Sequence, residues 1–258
     1  MRRTWRAAAV AVVGLVAVLL AACSGSGGLF RQYEYEEEIY LSLDGRATVY
    51  VNTSIAALNA LRGTTFDASP AARVDTTAVR AYYSSPATRV IRVSQSRRNN
   101  RRFVHVRLDV DDVTALGGVA PFAWSRYQFK RDGDLFKYLQ TVGAAAAADV
   151  GNVGWNGSEI VAFRLHLPAR IRFHTAPSRR VERGNLLEWE QSLADRMKGV
   201  PIRMEARMDQ ESILYTTLTL FAVMAVLVVL VFAVIIWMVV RKGRRKLGQR
   251  STASGHGA

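Results

Sequence analysis

The sequence predicts an α+β domain of antiparallel β-hairpins with inserted short helices, followed by one C-terminal transmembrane helix. Three observations carry this. Apolar and polar residues alternate over repeated short runs, the signature of half-buried strands. Turn residues punctuate those runs, and between hairpins the apolar spacing changes to three. Residues 36–43 place Ile39, Leu41 and Leu43 on one face against Glu38, Tyr40 and Ser42. Asp44-Gly45 then predicts a type I′ turn, with Ala47, Val49 and Val51 on the returning strand. Residues 88–94 and 102–110 read as a second hairpin, Val104, Val106, Leu108 and Val110 sharing a face. Tyr127 and Phe129 lead across Arg131-Asp132-Gly133-Asp134 into residues 135–141, a third hairpin. Val161, Phe163, Leu165 and Leu167 mark another strand, and Ile202, Met204, Ala206 and Met208 the last. Ile55, Leu58 and Leu61 predict a helix over 54–62, with Gly63 as its C-cap. Asp75 suits the N-cap of a helix over 76–83, and Asp111-Asp112 the start of a short helical turn. The stretch 143–157 reads as a long loop.

The net charge of +14 is unevenly spread. Of the 35 basic residues, Arg2, Arg3 and Arg6 precede an apolar run, and Arg241, Lys242, Arg244, Arg245, Lys246 and Arg250 follow another, which leaves 26 against all 21 acids. The middle of the chain is therefore close to neutral, and the excess sits where membrane topology places it. Nucleic acid is not an expected partner. One cysteine excludes an intrachain disulfide, and the scattered His105, His166, His174 and His256 show no metal-ligand spacing.

Residues 7–22 form an apolar run that stops at Leu20-Ala21-Ala22-Cys23, followed by Ser-Gly-Ser-Gly-Gly. This resembles the lipobox of bacterial lipoproteins, in which the cysteine sulfur takes a diacylglycerol and the peptide is cut before it. Residues 1–22 are then a signal peptide, Cys23 is the lipidation site, and 23–34 is a flexible tether. No cofactor is expected beyond that covalent lipid. At the other end, residues 213–240 carry no charge. As a helix they reach ~42 Å, enough to cross the ~30 Å hydrocarbon core. Tyr215 and Trp237 suit the two interfaces, and the basic tail 241–258 predicts a cytoplasmic C-terminus. The domain, 35–210, is thereby expected on the extracytoplasmic (periplasmic) face of the cytoplasmic, or inner, membrane, with 211–240 as the single span.

Catalytic signatures are absent: no GxSxG, P-loop or GxGxxG occurs. Glu34, Glu36 and Glu38 are expected on one strand face and Glu37 on the other, as a solvated acidic strand. Asp109, Asp111 and Asp112 lack the order and closing Glu of a calcium loop. The most suggestive cluster is Arg97, Arg98, Arg101 and Arg102 around Asn99-Asn100, four guanidinium groups that suit an anionic ligand such as a phosphate headgroup.

The order of parts resembles the LppM-like lipoprotein domain family. The resemblance is carried by the lipobox, by the strand YEYEEEIYLSLDGRATVYV with its Leu43-Asp44-Gly45-Arg46, and by Gly184-Asn185-Leu186-Leu187-Glu188-Trp189 before the last strand. It implies a surface lipoprotein without enzyme activity that handles a lipid or glycolipid. The expected partners are membrane lipid and a glycolipid or an envelope protein. The alternative expectation is an assembly factor docking on an envelope membrane complex.

Overall fold

A computed structural model describes residues 31–178 and 185–253. The chain runs β1 (Gln32–Leu41), β2 (Ala47–Ser54), α1 (Ile55–Arg62), α2 (Thr76–Tyr83), β3 (Thr88–Arg98) and β4 (Arg101–Val110). Two 3-10 turns follow, and then β5 (Ser125–Asp132), β6 (Leu135–Val142), β7 (Glu159–His166) and β8 (Ala169–His174). It ends with β9 (Leu186–Ser192), α3 (Leu193–Met197), β10 (Ile202–Ser212) and α4 (Ile213–Ala253). One sheet has the order β3-β4-β2-β1-β7-β9, the other β5-β6-β10-β8. The α+β class and the C-terminal apolar helix expected from sequence are both present.

The inner face of the larger sheet follows the predicted alternation. Tyr35, Ile39, Val49, Val51, Val106 and Leu108 are buried in one core with Leu58 and Leu61 of α1 and with Tyr138 and Met204 of the second sheet. Helix α1 is buried on almost every side, from Ile55 to Leu61. Ser54 caps its start by accepting from Ala57 N, and Gly63 ends it at φ +68. Loop 143–157 completes the end of this helix, Ala146 N and Ala148 N donating to the carbonyls of Leu61 and Ala60. That satisfies helix-terminal carbonyls that burial would otherwise leave without partners. Helix α2 starts where Asp75 accepts from Thr77 N and Ala78 N, and Asp112 caps the turn Val113–Gly118.

Several expectations need correction. β1 and β7 pair in parallel, so the larger sheet is mixed rather than a series of hairpins. A parallel pair needs a long crossover, and everything from β2 to loop 143–157 supplies it. Asp44-Gly45 is not a type I′ turn. Only Gly45 has positive φ there, and Ser42 N donates to Arg46 O while Gly45 N donates to Ser42 O. This is a turn followed by a glycine bulge, and Leu43 lies in it rather than on the strand. The two-residue turn with both φ positive is instead Asn99-Asn100, at +49 and +58, values that suit asparagine. β1 begins at Gln32, inside the stretch assigned to the tether. Strands β8 and β9 and helix α3 had no counterpart in the sequence reading.

Helix α4 holds an apolar segment, Thr217–Met238, with mean hydropathy 3.2 and none of it buried. At 22 residues it extends ~33 Å, long enough for a membrane span. It leaves the domain at a corner between the sheets, where Ile213 N donates to Pro168 O. The Arg241 guanidinium carbon lies 5.0 Å from the Trp237 ring centroid.

Candidate functional site

The acidic strand is not uniformly solvated. Glu37 is 1% exposed, on the inner face between Tyr35 and Ile39, and Glu34 is 0% exposed. Glu37 has no cation in ion-pair range among the described residues. It accepts instead from the Tyr127 hydroxyl (2.8 Å), the Gln140 amide (2.8 Å) and the Tyr35 hydroxyl (3.1 Å). Tyr138 in turn donates to Gln140 Oε1 at 2.7 Å. Burial pushes the Glu37 carboxyl up, opposed by those three donors. The network ties β1 of one sheet to β5 and β6 of the other. Glu34 departs from the alternation at an irregularity in register between Tyr33 and Tyr35. It is held 2.9 Å from Arg101, which is itself almost fully buried.

The outer face of the larger sheet is polar and divides into two zones. On β1, β7 and β9 the charges are paired. Arg164 bridges Glu36 and Glu188, and His166 Nε2 lies 2.6 Å from Glu38. The hydrogen bond with His166 holds the Glu38 carboxyl below its usual range. Tyr40 stacks on His166 at 3.9 Å between centroids and donates to Glu38. Burial and Glu38 push its phenol up to about 12.

On β2, β3 and β4 the balance is different. A groove of about 430 Å3 is lined by Tyr50, Asn52, Arg92, Ser94, His105 and Arg107, with no acid in its lining. Arg92 and Arg107 stand directly opposite each other across the β3–β4 ladder. Among the described residues neither has an acidic partner, and Arg107 only leans over the Tyr50 ring at 5.6 Å. Like charges at directly opposed strand positions disfavour the sheet by roughly 0.2–1 kcal/mol. An anion in the groove would remove that cost. His105 is fixed beside them, its Nδ1 2.9 Å from Asn52 Oδ1 and its Nε2 2.7 Å from Ser96 Oγ. Burial, and then the nearby Arg98, depress its pKa. A neutral ring would donate from Nδ1 to Asn52 and accept the Ser96 hydroxyl at Nε2.

The four arginines singled out from the sequence occupy the tip of this hairpin, but the ladder separates them. Arg97 pairs with Arg102 and Arg98 with Arg101, so the two pairs point to opposite sides of the ribbon. Arg101 is bound to Glu34 and to the carbonyls of Val153 and Gly154, which pins loop 143–157. Arg102 donates to Pro70 O. Arg98 donates to Tyr33 O and lies over the Phe103 ring at 4.4 Å. Among the described residues Arg97 reaches only Asn100, and like Arg98 it is exposed. Cys23 lies outside the described residues.

The sequence reading missed the Arg92–Arg107 groove. Its signal is present once the register is known: Arg92 and Ser94 alternate outward on β3, as His105 and Arg107 do on β4. No protein-family model matches the chain, and no curated protein matches it. Among solved structures, it is similar to the NMR structure of the folded domain of Mycobacterium tuberculosis LppM, with a TM-score of 0.38, 16% identity, and coverage of 72% of this chain and 95% of that chain.

Proposed function

We propose that this chain is a non-enzymatic lipoprotein, lipidated at Cys23 and spanning the cytoplasmic membrane once, whose extracytoplasmic domain binds the anionic headgroup of an envelope lipid or glycolipid. One observation carries the binding reading: Arg92 and Arg107 oppose each other, without an acid, in a groove with hydrogen-bonding walls. Guanidinium pairs grip phosphate or carboxylate with directed hydrogen bonds, and Asn52, Ser94 and Tyr50 supply neutral groups for a sugar or glycerol. The apolar helix supports membrane attachment, and the basic residues after it favour a cytoplasmic tail.

The test uses vesicles and the domain without α4. Binding to vesicles rich in anionic lipid should exceed binding to purely zwitterionic ones. The double variant Arg92→Glu/Arg107→Glu should lower the anionic affinity at least about tenfold, the loss of roughly 1.4 kcal/mol. Equal binding by the variant would remove the groove from the account.

The Ser96–His105–Asn52 relay favours a second reading, because it has the hydroxyl–imidazole–orienter order of a nucleophilic centre. The non-enzymatic account predicts that a fluorophosphonate probe leaves Ser96 unmodified. Stoichiometric labelling, abolished by Ser96→Ala, would support a hydrolase instead.

A further inference from the structure

The groove over β2, β4 and β3 is one-sided both in its charge and in its hydrogen-bonding groups. Two rows of side chains cross the sheet there. Tyr50, Arg107 and Arg92 form one, and Asn52, His105 and Ser94 form the next, two residues along the strands. Such rows stand ~7 Å apart on strands ~4.8 Å apart, and these side chains surround a space of about 430 Å3.

The acids beside the groove are already answered. Glu36 and Glu38 stand opposite Asn52 and Tyr50 on β1, and they pair with Arg164 and His166. Asp109, the next outward residue of β4, pairs with Arg89. Arg92 and Arg107 therefore bring two positive charges with no counter-charge among the described residues. A guanidinium does not lose its proton in a protein, so both charges are permanent. A singly charged phosphodiester leaves one of them unanswered. A phosphomonoester carries close to two negative charges above neutral pH, and it answers both.

The hydrogen-bonding groups agree with the charge. His105 Nδ1 lies 2.9 Å from Asn52 Oδ1, which occupies the amide oxygen and leaves the NH2 as the free end. Among the described residues that NH2 and the hydroxyls of Tyr50 and Ser94 donate to no acceptor. With the two guanidinium groups they make a wall of donors, and the fixed acceptor Asn52 Oδ1 is taken. A terminal phosphate presents three unesterified oxygens to such a wall, where a diester presents two.

We propose that the groove takes a doubly charged phosphomonoester headgroup, of the phosphatidic acid class, in preference to a singly charged phosphodiester, and that His105 positions the Asn52 amide for it. This rests on the groove reading given above and narrows its ligand, so the experiment must separate the two.

The full chain, purified from membranes in a zwitterionic detergent, is titrated calorimetrically at about pH 8, well above the second phosphate pKa of about 6. Ionic strength is held fixed. Short-chain phosphatidic acid and phosphatidylglycerol are the lipid pair, and glycerol 3-phosphate and glycerophosphoglycerol are the soluble pair. The monoester lipid should bind at least about tenfold more tightly than the diester lipid, the order of one added charge-assisted contact. The same preference in the soluble pair shows that the phosphate alone suffices, and its restriction to the lipid pair makes the ligand a lipid. Arg92→Gln leaves one charge and should bring the two lipids to within about twofold of each other. His105→Leu should weaken the monoester severalfold, whereas His105→Gln, still able to donate to Asn52 Oδ1, should retain it. Unchanged urea midpoints in these variants separate the effect from a loss of fold, and a His105→Leu chain that binds as the original does removes the positioning role. Equal affinity for monoester and diester, both abolished in Arg92→Glu/Arg107→Glu, overturns the selectivity and leaves the groove reading standing. Monoester binding that survives this double variant, or no binding of any of the four, overturns both.

Discussion

At the scale of residues, Glu37 shows how a sequence of four acids within five positions divides. Alternation puts it on the inner face, and it stays there because three neutral donors from the facing sheet and its own strand satisfy it. Glu37→Ala leaves those donors buried without an acceptor and opens a cavity, at a cost of about 3 kcal/mol. Urea unfolding of the purified chain, followed by tryptophan fluorescence, reads that loss. The carboxyl also makes stability depend on pH. Its folded value is raised above the ordinary 4.5, so the unfolded chain releases the proton first as pH climbs. The contribution is complete below the ordinary value and is lost as pH rises through the folded one. Glu37→Gln should flatten the urea midpoint over that window, and an unchanged slope would show that another group titrates. Glu38, held low by His166, acts in the opposite direction: its contribution exists above the ordinary value and is lost as pH falls through the folded one. Nothing in the bare sequence distinguished Glu37 from its neighbours in partner or consequence, because the donors that hold it come from positions 90 and 103 residues away.

At the scale of elements, local signals were legible where they were self-contained. Gly63, Asp75 and Asp112 cap elements as the sequence predicts, whereas Ser54, expected as the first residue of the helix, is its N-cap. Gly63 is further constrained, because a Cβ there would meet the Ala146 side chain at 3.3 Å in addition to the left-handed backbone. Gly63→Ala should therefore destabilise by about 1–2 kcal/mol, more than Asp75→Ala at about 1 kcal/mol, with thermal unfolding as the comparison. Pairing between distant strands was not legible. The parallel register of β1 with β7 links residues more than a hundred positions apart, and no turn residue announces it. The turn at Asp44-Gly45 misled for a related reason. An Asp-Gly pair serves a type I′ turn or the end of a bulged one, and the flanking register decides between them. The arginine cluster was found at the right hairpin but read as four equivalent charges. Two-residue alternation divides it, and Glu34 takes Arg101 into the interior, so only the exposed Arg97 and Arg98 remain suited to an outside ligand.

At the scale of the whole molecule, the domain places a zone of unbalanced positive charge on an open sheet face and attaches one corner to an apolar helix. Three Arg–Arg oppositions lie along a single hairpin, 92 with 107, 97 with 102 and 98 with 101. Only the last is offset by a buried acid. The opposition of 92 with 107 has no acid to offset it among the described residues, and it is there that the proposed function places the anion. The central claim is that a lipid-bearing, membrane-spanning chain holds an anionic envelope lipid at this face. Native mass spectrometry of the full chain, extracted gently from membranes, tests it most directly. The account predicts a polypeptide that begins at a diacylglycerol-bearing Cys23 and retains an anionic lipid or glycolipid, the latter lost in Arg92→Glu/Arg107→Glu. An unprocessed chain without the adduct, or a bound lipid indifferent to that double variant, would contradict it.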